Sequence, residues 1–156
     1  MYPNYPNALI ALLNNQHIWI AAFACISAQA LKVLIDYGRT KKIDRAVFWG
    51  TGGMPSSHSA FVVAMATSIG TTEGLHSPLF AIAIVFALVV MYDAAGVRRA
   101  AGKHAEIINV LMGRLENIGI TPDKKLKELL GHSPIEVMAG ALWGILISTA
   151  VYEILG

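Results

Sequence analysis

From Leu79 to Val97 the chain runs through nineteen residues with a single charged side chain, Asp93. As a helix that stretch covers about 28 Å at about 1.5 Å per residue, close to the roughly 30 Å hydrocarbon core of a bilayer. In lipid a segment has no water to bond its backbone groups, so it must satisfy them internally, which leaves the α-helix as its form here. Three further apolar runs, residues 18–35, 59–70 and 134–155, repeat the pattern. The whole chain is 14% charged and 55% apolar, whereas a soluble domain carries about 25% charged residues. The expected fold class is therefore all-α: a polytopic membrane helix bundle of about four spans, forming one domain over residues 1–156. A net charge of +2 is too small for a phosphate-tracking surface, which argues against nucleic acid as a partner.

The runs differ in detail. Residues 59–70 are short for a span, so this helix crosses obliquely or starts inside protein below the headgroups. Pro78 opens the third run, as proline does in a first helical turn. The fourth carries Gly140 and Gly144 at the small-xxx-small spacing that lets helices approach closely, a possible face for a homo-oligomer. Residues 8–13 suggest a short interfacial or re-entrant helix, and no Lys or Arg precedes them as a cleavable leader requires. Cys25 stands alone in an apolar run and is expected to pack.

Two polar loops, residues 36–57 and 98–133, separate the runs, and four crossings put both on one side. All twelve Lys and Arg residues fall on that side. The positive-inside rule then makes these loops cytoplasmic and both termini external, in a cell membrane of bacterial type. Within the second loop, Ile107, Ile108, Leu111 and Leu115 recur at helical spacing, which predicts an amphipathic helix over 98–115. Thr121-Pro122-Asp123 opens a second short helix that Gly131 closes.

Polar residues gather at the same ends of all four runs: Lys32 and Arg39, then Pro55-Ser56-Ser57-His58, then Asp93, Arg98 and Arg99, then His132 and Glu136. Ionisable groups at membrane depth are costly, which marks them as functional candidates. Cations and helix N-termini select an anion, and two imidazoles supply a nucleophile or base and an acid. Phosphate carried on a lipid is the natural ligand of such a set.

These residues resemble the motifs of the type 2 phosphatidic acid phosphatases, which share a fold with vanadium haloperoxidases: K-x6-RP, PSGH and SR-x5-H-x3-D. Lys32-x6-Arg39 matches the first with Thr40 in place of proline, and Pro55-Ser56-Ser57-His58 the second with Ser57 in place of glycine. The third is split. His132 with Glu136 follows the H-x3-D spacing but lacks an arginine six residues before it, while Arg98 precedes His104 by six but Ile108 takes the carboxylate position. The strings GGMPSSHSA and YDAAGVRRAAGKHAEIIN are similar to the divergent branch of this superfamily, and the resemblance spans roughly residues 29–144.

The resemblance implies a metal-free and cofactor-free phosphatase acting on a lipid phosphate or diphosphate through a phosphohistidine. His132 would be the nucleophile with Glu136 orienting it, and His58 the acid. Lys32, Arg39 and Arg98 would clamp phosphate, with Ser56 adding its hydroxyl and Ser57 its backbone amide. A carboxylate one turn on prefers His132 to His104, because something must set the tautomer. A cytoplasmic site would favour a lipid made on the inner leaflet, such as phosphatidylglycerophosphate, phosphatidate or a polyprenyl diphosphate. A non-hydrolytic lipid-phosphate binder or transporter is the alternative.

Structural roles compete for the same residues. Ser133-Pro134-Ile135-Glu136 is also a capping box, and Lys32 could snorkel from a helix end. Asp93 suits neutralising an arginine or bonding Lys32, and His17 and His76 are expected to be bystanders.

Overall fold

A computed structural model describes residues 7–42, 48, 52–116, 126 and 131–155, with the side chains of Arg98, Glu116 and Leu155 outside that set. Its regular elements are helices: α1 (Ala8–Leu13), α2 (Gln16–Thr40), α3 (Ser57–Glu73), α4 (Pro78–Ala95), α5 (Val97–Glu116) and α6 (Pro134–Leu155). Local chemistry sets the starts of several. The side chains of Asn7, Ser56 and Ser77 accept from Ile10, Ser59 and Phe80 amides, and Pro78 occupies the first turn of α4.

Among the described residues three helices are long and apolar enough to cross a membrane: Gln16–Thr40, the α4–α5 run Pro78–Leu115, and Pro134–Ile154. The helix expected over 59–70 lies among them. At 17 residues, α3 is about 25 Å long, and it packs on α2, α4 and α6. Its neighbours cover it, so its sequence answers to helices rather than to lipid: Ser57, Ser59, Ala60, Ala64, Ala66, Ser68 and Gly70 are all buried. Large apolar side chains point outward instead, among them Ile82, Phe86 and Val89 on α4 and Leu142 and Leu146 on α6. Small residues inside and large ones outside is how helices associate where lipid is as apolar as leucine.

Gly140 and Gly144 serve this internal packing. A Cβ on Gly140 would collide with the Ser56 carbonyl oxygen, and one on Gly144 would lie 2.6 Å from the Ala60 carbonyl oxygen. The stripe expected as a face between copies is thus occupied by α3 of the same chain.

Two backbone hydrogen bonds tie helix ends together at one end of the bundle. The Ser56 amide donates to the Glu136 carbonyl and the His132 amide to the Ala94 carbonyl, both at 3.0 Å. Near the opposite end His17 Nδ1 lies 2.7 Å from Ser68 Oγ, linking α2 to α3, so His17 is a structural contact. The expected amphipathic helix is α5, which meets α4 with Gly96 between them. Asn109 holds Leu126 against it, donating to the carbonyl at 2.8 Å and accepting from the amide at 2.9 Å. The helix expected between Thr121 and Gly131 lies, Leu126 and Gly131 apart, outside the described residues.

The α3–α6 seam gives a direct test. Gly140→Ala should lower stability by about 1–3 kcal/mol through overpacking, whereas Gly113→Ala, with open space around it in α5, should be neutral or stabilising. Thermal unfolding in detergent measures both.

Candidate functional site at the joined helix ends

The span expected to stop near residue 35 continues as helix to Thr40, with Lys41 in the left-handed conformation as its cap. That extension explains the seven-residue spacing. Seven residues turn about 700°, so Lys32 and Arg39 share a face about 10 Å apart along the axis. Thr40, at the motif's proline position, donates its hydroxyl to the Asp36 carbonyl at 3.0 Å and closes the helix end locally. Lys32 is 3% exposed. Its stem runs beside Gly53, where φ is +87° and a Cβ would sit 3.3 Å from Lys32 Cδ. Glycine there meets both the backbone requirement and the space requirement.

His132 is 2% exposed, and its Nδ1 lies 3.3 Å from Glu136 Oε2. A carboxylate accepts only, so Nδ1 carries the proton and neutral Nε2 keeps its lone pair. Nε2 is buried without a hydrogen-bond partner. Burial pushes the His132 imidazole below the usual histidine range. The Glu136 hydrogen bond and charge oppose that push, nearby Lys32 reinforces it, and the Gly53 backbone favours the proton. Glu136 Oε2 also accepts from the Ser133 amide at 3.0 Å, while Ser133 Oγ accepts from the Glu136 amide at 3.3 Å. Capping box and histidine orientation therefore coexist on one carboxylate.

The His58 ring stands 6.2 Å from the His132 ring, centroid to centroid, at 63°. His58 is exposed and sits in the first turn of α3, where amides lack intrahelical acceptors. Ser57 is buried at the start of that turn. Ser56, fully buried, is the N-cap: its oxygen accepts from the Ser59 amide and from Ser59 Oγ at 3.1 Å. Its geometry is that of a cap.

Beside this pair lies a cavity of about 230 Å³ whose polar lining is Lys32, Asp36, Arg39, Ser133 and Glu136. Neither histidine is among its lining residues. His104 and Arg99 are exposed on α5, which packs on α4. The Arg98 side chain lies outside the described residues, and Asp93 is half-buried near the end of α4. Sequence reading passed over Asp36 and Gly53. A carboxylate one turn before an expected phosphate ligand was the available signal for Asp36, and the Gly52-Gly53 pair ahead of Pro55 the signal for Gly53.

Comparison with known proteins agrees with these motifs. Residues 13–147 match the Divergent PAP2 family. The chain belongs to that family. It is also 45% identical over 148 residues to the uncharacterized membrane protein YuiD of Bacillus subtilis (strain 168), covering 88% of this chain and 94% of that one. No solved structure matches.

The double duty of Glu136 separates two substitutions. Glu136→Gln keeps an N3 side chain that can cap α6 but removes the charge facing His132. It should stay within about 0.5 kcal/mol of the parent, whereas Glu136→Ala should lose about 1 kcal/mol. Imidazole ¹⁵N shifts should report a fixed Nδ1–H tautomer in the parent and a mixed one in Glu136→Gln.

Proposed function

We propose that this membrane protein is a lipid phosphate phosphatase working through a phosphohistidine. The observation that supports it best is the His132 geometry: Nδ1 is held by Glu136, and Nε2 is buried and unpartnered on a ring facing His58. In the reaction, the His132 Nε2 lone pair attacks phosphorus and the phosphorus–oxygen bond to the lipid breaks. The departing oxygen takes a proton from His58. Water then attacks the phosphohistidine, delivering a proton to His58 and releasing inorganic phosphate with Nε2 restored. Lys32 and Arg39 stabilise the equatorial oxygens, with Arg98 as a third cation and the Ser57 amide at the N-terminus of α3. Depressed basicity suits this role, because an unprotonated nucleophile is available at neutral pH.

A second reading, a non-hydrolytic lipid-phosphate binder or transporter, is favoured by one feature. The cavity with Lys32 and Arg39 excludes both histidines from its lining. Purified protein offered a panel of lipid phosphates separates the two. Phosphatase action predicts phosphate release that vanadate inhibits and that His132→Asn reduces by about 10³-fold or more. Release undiminished in the variant removes the nucleophile assignment, and no release from any lipid favours the binder. The sign of the pH dependence follows from burial. Protonating Nε2 removes the nucleophile, so kcat/KM should fall on the acid side with a limb below 6.5, the ordinary histidine value.

We further propose a cytoplasmic site with external termini, since the twelve cations all belong to the site-side loops or the adjoining helix ends. Lys103 is exposed on α5. In the single-cysteine variant Cys25→Ala/Lys103→Cys, an impermeant thiol reagent should label position 103 only after cells are opened. Labelling of intact cells reverses the orientation.

A further inference from the structure

A second cavity, about 270 Å³, lies in the seam between α2 and α6, lined among others by Leu31, Ile35, Met54, Ala139, Trp143 and Leu146. No charged side chain lines it. It shares Ile35 and Met54 with the polar cavity that holds Lys32 and Arg39, so the two are neighbours across a common wall. At the other limit Trp143 Nε1 donates to Ser27 Oγ at 3.0 Å, fastening α6 to α2. Ser27, Leu31 and Ile35 are spaced four apart on α2, so the seam extends about 12 Å from the polar cavity to that bond.

We propose that this seam seats a hydrocarbon chain of the lipid whose phosphate enters the polar cavity. The proposal deepens the lipid-phosphate reading above and rests on it. Two observations select a lipid chain over other occupants. The groove lies between two helices long and apolar enough to cross a membrane, and the medium around such helices is hydrocarbon. Its upper wall is shared with a cavity that presents cations, so an occupant reaching both must join an anionic group covalently to an apolar chain. Size alone does not choose it: a larger apolar cavity of about 530 Å³ beside α3 and α4 shares no residue with the polar one. The Trp143–Ser27 bond closes the groove at depth, and without it the indole N–H would face hydrocarbon unpaired.

The test uses Trp143 as its own reporter. The chain has three tryptophans, so Trp19→Phe/Trp49→Phe leaves Trp143 alone. In phosphatidylcholine vesicles, a dibromostearoyl lipid phosphonate, whose carbon–phosphorus bond resists hydrolysis, should quench Trp143 at about one tenth of the mole fraction that dibromostearoyl phosphatidylcholine requires. Unbrominated lipid phosphonate should restore the fluorescence and glycerol phosphate should not. Ala139→Phe, which fills the groove, should abolish the preference. Should that variant fail to fold, the competition alone decides. Equal quenching by the two brominated lipids overturns the groove. Because quenching reads binding and not turnover, preferential quenching without phosphate release would remove the hydrolytic reading and leave the groove intact. Release with equal quenching would remove the groove alone.

Discussion

The close approach of α6 to α3 at Gly140 and Gly144 is the contact on which the candidate site of this protein depends. A single methyl group at Gly140 would occupy the space of the Ser56 carbonyl. With the helices this near, the Ser56 amide reaches the Glu136 carbonyl, and the first turns of α3 and α6 are joined. His58 and His132 belong to those two segments, so their edge-to-face approach follows from a backbone contact between glycine and serine. Lipid offers no hydrophobic drive for such packing, which is why the seam consists of glycine, alanine and serine.

One carboxylate oxygen then carries two tasks. Glu136 Oε2 satisfies the Ser133 amide at the start of α6 and holds Nδ1 of His132. The cap keeps the carboxylate in place at little conformational cost, and the placed carboxylate decides which imidazole nitrogen keeps its lone pair. Buried around this pair are Lys32 and Ser57, while Arg39 remains exposed at the rim of the cavity. Burial thus falls from His132 and Lys32 outward to Arg39. Next to that cavity lies the apolar seam that the Trp143–Ser27 bond closes.

Much of this was legible in the residues. The capping box and the H-x3-E spacing are both visible around Glu136, and the two roles are compatible because one oxygen accepts from two donors. The Lys32-x6-Arg39 spacing was legible as a motif, but its reason was not. Asp36, Tyr37 and Gly38 look like the start of a loop, whereas the helix persists through them and puts both cations on one face. Gly140 and Gly144 were legible as a close-packing stripe, yet nothing local says whether its partner is another copy or α3. Gly53 was hidden for the same reason: its need for positive φ and its contact with Lys32 arise only once the chain between α2 and α3 returns to the bundle.

By itself the sequence determined the apolar solvent, the all-helical class and most residues of the candidate site. Those depend on local quantities: apolar run length, charge placement, caps, and the 3.6-residue period. Only the tertiary structure decided that the short serine- and alanine-rich helix is the enclosed one, that Gly140 and Gly144 pack on it, and that His58 stands edge-on to His132. Those outcomes depend on which helix faces which. Helix pairing is a property of surfaces brought together across tens of residues, and no local pattern encodes its distances.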